Sequence, residues 1–578
     1  MSRRLLVVGA MIAGLGTAPN GAAGQENVRR LPVPEYVSRM KAGWVGQMAG
    51  VGWGGPTEFK VRGEIMGEDR LPKWRPAMIN QFHQDDIYVE MTFLQTLDTY
   101  GLDVSIRQAG IDFANSGYPL WHANRAGRDN LRKGIAPPDS GHPKFNKHAD
   151  DIDYQIEADY SGLIAPGMPN VAVRLGETFG RLMNYGDGLF AGQFVGAMYA
   201  EAFFESDPVQ IARAALKAVP ARSQYAEMVR DVLQWYAEEP DDWQKAWQRI
   251  EAKYHQDPKY THGLCSKPGG KGAFSIDAKL NGAYILVGLL YGKGDPDRTI
   301  ILSTRCGQDS DCNPSNAGGI LFTTIGFEKL PKKFTSAIDP KGKFSHTPYT
   351  FPKLIEVSVK LVRQAVLAEG GKVEKSADGE EVFVIPVKAP KPSELEHVAR
   401  PRPPADSKFT EQERAKIKPP APRPRTRSGV SKGKADIAKA VEEFAPGWKA
   451  ADCGSEMDPG LRPEWGGRKN VLVTHPMSTS KPCVLRRTVD IPAGKKTTLV
   501  LDVAPDGRGD WTLAVQADGK QLLKKKIDKA ATQNGWATVE VDLSELAGRA
   551  VPLELHNVAD GWSWEAAYWS RIEVRAEE

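Results

Sequence analysis

The stretch 43–59, GWVGQMAGVGWGGPTEF, decides how the first half of this chain folds. Gly43, Gly46 and Gly50 recur at roughly helical spacing among apolar residues. The segment from Glu35 onward therefore reads as a helix pressed very closely against its neighbours. The run Gly52-Trp53-Gly54-Gly55-Pro56 then breaks that helix and delivers Glu58 on a turn.

Outward from this stretch the period stays near 3.6. Ile87, Met91, Leu94 and Leu97 share one face of a helix over 85–100, with Asp85 and Asp86 in its first turn, where negative charge is favourable. Residues 103–116 predict a second short helix, and 117–150 an irregular, functional rim rich in His, Gly, Pro and Lys. Successive helices follow over 169–240 and 276–292, then a loop and a small-residue helix after Pro296. The expectation is an all-α domain over 35–370. Residues 386–434 are rich in Pro, Lys and Arg and predict a stiff linker or surface strap. From about 435 the period changes to two. Eight short strands separated by Gly, Pro and Asp turns predict an all-β sandwich over 435–578, of jelly-roll or galactose-binding type. Trp562, Trp564, Tyr568 and Trp569 cluster near its end, either to stack on sugar rings or to fill its core.

With 578 residues, more than one domain is required. A net charge of only +4, from 76 Lys and Arg against 72 Asp and Glu, implies no general affinity for nucleic acid. Arg3 and Arg4 precede the apolar run Leu5–Leu15, and small residues follow. This predicts a secretory signal peptide over 1–24 and a secreted or periplasmic protein, with no stable membrane insertion. An exported chain permits disulfides. Five cysteines leave at least one unpaired, and Cys265 with Cys306 or Cys312, or Cys453 with Cys483, are the pairs to weigh.

Two acid pairs carry the candidate chemistry. Asp85 and Asp86 point about 100° apart on a helix, so they address two ions or two sides of one. Asp309 and Asp311 sit two apart in RCGQDSDCNPSNAGG. Four carboxylates together repel unless compensated, and hard divalent cations such as Mg²⁺ or Mn²⁺ are the natural compensation.

Three stretches in order, GWVGQMAGVGWGGPTEF, HQDDIYVEMTFLQTL at 83–97 and CGQDSDCNPSNAGGILF at 306–322, resemble the ADP-ribosylglycohydrolase family. The resemblance covers about 35–370. It implies a compact all-α domain, two Mg²⁺ ions between the two Asp motifs, and hydrolysis at the anomeric carbon of ADP-ribose. Glu58 falls on the family's acidic position after the Gly/Pro stretch, and Asp85, Asp86, Asp309 and Asp311 fall on its paired aspartates. The chain also departs from the pattern. Val51 stands where the family has Asp, Gln84 and Ile87 replace the threonines flanking the first pair, Ser310 replaces Thr, and Cys312 replaces a threonine whose hydroxyl faces metal. A thiol is a poor ligand for Mg²⁺.

The expected metal set is therefore Gln84, Asp85, Asp86, Asp309, Asp311 and Cys312. Glu58 is expected to handle protons for water or a ring hydroxyl, with Glu157 or Asp159 supplying a second such group. His83, Asp187 and Asn316 are the expected substrate contacts. The expected substrate is an ADP-ribosylated molecule. An extracellular glycosidase acting on furanosides or other glycans, and a non-catalytic carbohydrate-binding protein with a degenerate site, are the alternatives.

Overall fold

The computed structural model describes residues 27–80, 84–261, 268–419, 434–454, 456–561 and 564–577. The predicted export segment, His83, Cys265 and Trp562 lie outside them. The chain divides into two compact units, Met1–Pro420 and Ala421–Glu578.

The first unit is helical. A strand, β1 (Val28–Pro32), leads into α1 (Val33–Gly54); α2 (Asp85–Tyr100), α3 (Ile106–Asn115), α4 (His122–Arg132), α5 (Asp153–Ile156) and α6 (Asp159–Leu163) follow. Next come α7 (Pro169–Phe179), α8 (Asp187–Ala202), α9 (Pro208–Ala215), α10 (Gln224–Glu238), α11 (Trp243–Ile250) and α12 (Ala278–Gly292). The helical part ends with α13 (Pro296–Arg305), α14 (Cys312–Ile325), α15 (Lys332–Thr335) and α16 (Phe351–Ala368), before β2 (Lys372–Lys375), β3 (Glu381–Pro386) and a last short helix, α17 (Glu411–Lys416). Helices α1, α8, α12 and α14 are apolar or small almost all round and are buried as a central group. Amphipathic helices such as α7, α10 and α16 wrap them and keep one face in solvent.

The glycines of α1 do what their spacing requires. A β-carbon at Gly46 would lie 2.3 Å from the Gly318 carbonyl oxygen, and one at Gly50 would lie 2.2 Å from the Ser315 nitrogen. One at Gly54 would fall 2.0 Å from the Ser310 carbonyl oxygen. Helices α1 and α14 thus meet backbone to backbone, and this contact fixes where the 309–311 turn sits.

Two features extend the helical expectation. Strands β1, β3 and β2 form a three-stranded antiparallel sheet, with Arg30 opposite Val384. Its central strand carries the apolar run Val382–Ile385, and its partner precedes α1, so the pairing is too long-range for a local pattern to show. Within 117–150, α4 replaces the irregular loop expected there.

Residues 387–419 run over this unit as a strap. Val387 donates its N–H to Asn27 O (2.8 Å), and Arg402 donates its N–H to the Tyr185 hydroxyl (3.1 Å). Asp139 accepts from the Ala405 and Ser407 N–H groups (2.9 and 2.8 Å). Arg107 grips Glu413, which also closes the capping box of α17. Prolines suit such a strap because most of its backbone needs no ladder partner.

In the second unit a helix, α18 (Lys434–Phe444), packs on β4 (Lys449–Ala451), β5 (Gly460–Trp465) and β6 (Arg468–Thr474). The remaining strands are β7 (Cys483–Asp490), β8 (Thr497–Pro505), β9 (Trp511–Ala517), β10 (Lys520–Ile527), β11 (Ala537–Asp542), β12 (Ala550–Val558) and β13 (Ala567–Ala576). They form two five-stranded antiparallel sheets, ordered β10-β9-β12-β7-β4 and β11-β8-β13-β6-β5. All eight expected strands are present. The short β4 and β5 and the helix α18 are additions. The core between the sheets holds Trp448, Trp511 and Trp569, and β11 alternates buried and exposed residues as period two demands. Among the described residues the cysteines are free thiols, and no helix is long and apolar enough to cross a membrane.

Candidate metal centre and pocket

Besides α17, seven described helices of the first unit begin with their own side-chain cap. Ser105, Asp207, Ser223, Asp242, Asp277, Asp295 and Thr350 each accept a first-turn N–H. Helices α2 and α14, like α1, α4, α7 and α8, begin without one: Gln84 and Asp311 stand at the cap positions of α2 and α14 and make no such bond. These two helix starts converge. The Cys312 thiol, at the start of α14, lies 3.5 Å from Asp86 Oδ1 on α2 and 3.8 Å from Asp311 Oδ1. One potential ligand atom each from Asp85, Asp86 and Cys312 lies within 4.8 Å of the others, and the same holds for Asp309, Asp311 and Cys312. Cys312 therefore joins two acidic groups into one centre.

The electrostatics of this centre are strained. Burial, then repulsion by Asp311 and Asp85, raises the Asp86 carboxyl well above its usual range. Burial pushes Asp309 up to about 8, with Glu58 and Asp86 adding to it. Repulsion by Asp311, then burial and Asp85, pushes Glu58 up to about 9. Asp86 Oδ2 and Asp309 Oδ1 are buried without a hydrogen-bond partner. A buried acceptor in that state costs about 1–3 kcal/mol. A divalent cation would satisfy these oxygens and reverse the upward shifts.

The centre opens into a pocket of about 240 Å³. Glu58, Gln84, Asp85, Asp309 and Cys312 line it, together with Asp153. An aromatic and aliphatic wall faces these acids. Phe59 and Phe274 pack at 4.8 Å, His122 meets Phe274 at 5.7 Å, and Tyr88, Trp121, Ile152, Ile156 and Ile276 complete the lining. Trp121 is half exposed at the rim. Burial, then neighbouring His148, lowers His122 to about 4, so its imidazole is neutral at ordinary pH.

The remaining expected residues are placed as follows. Glu157 is fully buried, bonded to the Asn124 amide, with Oε2 unpartnered. Asp159 accepts from Asn316 Nδ2 (2.8 Å), and this buried pair adds to the repulsion felt by Asp86. Asp187 accepts the Tyr225 N–H (3.0 Å) and lies 4.0 Å from the buried Lys279 ammonium. None of these four is among the pocket-lining residues.

Several residues of the site carry no local sequence signal. Asp153 accepts the Asn124 N–H (2.5 Å) and Asp151 the Ala123 N–H (2.9 Å), so a distant loop caps α4 and presents His122. Gln308 is the joint of the site. Its backbone accepts the Phe59 N–H (2.9 Å) and donates to Val61 O (2.8 Å), tying the Glu58 turn to the 309–311 turn. Its side chain donates to Ala273 O (2.9 Å) and accepts the Ser275 N–H (3.0 Å), holding Phe274 in the wall. Thr57 and Ser310 reinforce the same joint through their hydroxyls (2.8 Å). Replacing Gln308 with Ala leaves two polar backbone groups short of partners. It should lower stability by about 1–3 kcal/mol and raise KM for any substrate seated on Phe274. Urea unfolding and initial-rate kinetics check this, and an unchanged KM would remove Gln308 from this positioning role.

The sequence model described as ADP-ribosylglycohydrolase matches residues 32–365. No curated protein matches the chain. One similar solved structure is an ADP-ribosylglycohydrolase-related protein complex, 15% identical, covering 57% of this chain and 99% of that one, with a TM-score of 0.36. Another is an adhesin domain of Lys-gingipain from Porphyromonas gingivalis W83, 16% identical over 23% of this chain and 92% of that one, with a TM-score of 0.18. A third is a CBM4 structure, 14% identical over 24% of this chain and 99% of that one, with a TM-score of 0.17. The family match spans more than half of the 578 residues and includes Glu58 and both Asp pairs, and on that match the chain belongs to the ADP-ribosylglycohydrolase family.

Proposed function

We propose that this protein hydrolyses the glycosidic bond of an ADP-ribosyl or related ribosyl unit, with divalent cations held by Asp85, Asp86, Asp309 and Asp311. One observation carries the reading: two helix starts bring four carboxylates together beside Glu58, with buried carboxylate oxygens left unpartnered, at the mouth of an aromatic-walled pocket. The donor set is mainly hard oxygen and suits Mg²⁺ or Mn²⁺. Cys312 is better suited to donating its S–H to Asp86 than to binding Mg²⁺. When bound, such ions orient ring hydroxyls and polarise water.

The chain's own residues supply the rest. Phe59, Phe274, Tyr88 and Trp121 present flat faces to a ring and keep bulk water from the acids. Glu58 faces the same space and takes or returns a proton at its carboxylate as water adds at the anomeric carbon. Glu58→Gln should fold and keep its metal response while losing about 10²–10⁴ in kcat. Turnover close to that of the parent would sink this role.

A second reading has its own support. No Lys or Arg is among the described residues that line the pocket, so these residues offer a diphosphate no side-chain cation. This favours an exported glycosidase for furanosides or other glycans. Metal-dependent hydrolysis of ADP-ribosyl-protein, O-acetyl-ADP-ribose and aryl furanosides and pyranosides separates the two. Turnover of ADP-ribose conjugates alone selects the first, and turnover of simple glycosides alone the second. A metal response without turnover of any substrate would point to a non-catalytic binding protein.

A further inference from the structure

The outer face of the sheet β11-β8-β13-β6-β5 carries a second, smaller aromatic cluster, in which Tyr568 and Trp536 are buried and on whose edge Trp564 is exposed. Strand alternation divides neighbours: Trp569 points inward and meets Trp511 at 5.3 Å, while Tyr568 points outward. On the outer face Tyr568 stacks on Trp465 at 3.6 Å and 13°, and Trp465 meets Trp536 edge-on at 5.7 Å. The Tyr568 hydroxyl donates to Asp506 (3.3 Å), and Asp506 holds the Arg508 guanidinium by two bonds of 2.8 and 3.1 Å. That guanidinium lies 3.4 Å from the Trp564 ring centroid. Trp564 is 39% exposed and has φ +68, a backbone conformation that a bulky residue rarely adopts.

We propose that this face binds a neutral polysaccharide. A sugar ring offers an apolar C–H face bordered by hydroxyls. An exposed indole, Trp564, backed by a planar guanidinium and bordered by carboxylate and amide groups, matches both parts of it. Trp564 is an exposed ring stiffened from one side by Arg508, which lowers the entropy lost on stacking a ligand. Beyond Trp536, the Gly466-Gly467 turn and the Gln533–Trp536 turn frame a groove of about 550 Å³ lined by Arg468, Gln533, Asn534 and Thr538. Such side chains donate to and accept from hydroxyls. The Trp536 indole N–H bonds the Gly466 carbonyl (2.9 Å), so the two turns are tied in place.

The charges on this face are already paired: Arg508 with Asp506, Arg468 with Asp502, and Arg462 with Asp458. These three guanidiniums are therefore already held by carboxylates and are not free to select an acidic polymer. A proline-rich peptide would use the rings but not the hydrogen-bonding groups at their edges, so the saccharide is favoured.

The test is affinity electrophoresis of the full chain through gels containing soluble arabinan, arabinogalactan, xylan or mixed-linkage glucan. Polygalacturonate and an immobilised proline-rich peptide run alongside. Retardation by at least one neutral polymer is expected. Trp564→Ala and Arg508→Ala should each weaken it about tenfold or more, as truncating an anchor does, with unchanged melting temperatures. The proposal is overturned by absence of retardation in every neutral polymer, by variants that bind like the parent, or by stronger retention on polygalacturonate or the peptide.

Discussion

Replacing Gly50 with Ala is expected to prevent the helical unit from folding, or to cost about 3 kcal/mol or more. The added β-carbon would lie 2.2 Å from the Ser315 nitrogen and 2.3 Å from its α-carbon. Both obstructions are backbone, inside helices anchored on several sides, so no side-chain rotation relieves the overlap. The damage would also reach the site. Helix α14 begins at Cys312, and a displaced α14 carries Asp311 and Asp309 away from Asp86. Gly270→Ala is the matched control. Its β-carbon would meet only the end of Gln256, at 4.0 Å, and the change should stay within about 0.5 kcal/mol. Circular dichroism and urea unfolding of both variants decide the matter. A Gly50→Ala protein that melts within a few degrees of its parent would show that α1 and α14 can separate without cost.

The sequence is most readable where a physical requirement is local. Close helix packing needs small residues at helical spacing, so Gly46 and Gly50 announce a buried contact without naming the partner. Alternation in β11 and β12 announces a two-sided sheet for the same reason. The paired aspartates are legible as residues because like charges one or two positions apart require compensation. Their convergence is not legible, since Asp86 and Cys312 meet across 226 positions. Phe59 and Phe274 form a wall only because Gln308 bonds both segments, and nothing near Gln308 marks it as a joint. Asp153 caps a helix that begins at His122, where a search confined to local caps finds only Trp121. Asp187 illustrates the converse. Its place before a small-residue helix suggests a rim acid, but α12 delivers Lys279 beside it. Tyr568 and Trp569 are adjacent in sequence, yet one belongs to the core and the other to the outer face.

Asp311→Asn should separate a metal-binding acid from a structural one by the sign of its effect. Asp311 is the largest cause of the upward shift at Glu58, and after burial it is the largest at Asp86. An amide of the same shape removes that repulsion. In the presence of a chelator the variant should therefore melt at or above the parent temperature. Adding Mg²⁺ or Mn²⁺ should reverse the order. At a hundred times Kd a bound ion stabilises the parent by about 2.7 kcal/mol, roughly 3 °C for a unit of this size, and the variant should lose most of that response. Asp277→Asn provides the contrast. Asp277 lies 3.0 Å from the Lys279 ammonium, which is fully buried, so removing its charge leaves that cation only the more distant Asp187 carboxylate and should cost about 3 kcal/mol with or without metal. Thermal melts of the three proteins, with chelator and with each ion, give six comparisons from one measurement. If Asp311→Asn behaves like Asp277→Asn, destabilised in chelator and still raised by metal as much as the parent, Asp311 is a structural acid and the metal centre loses its support.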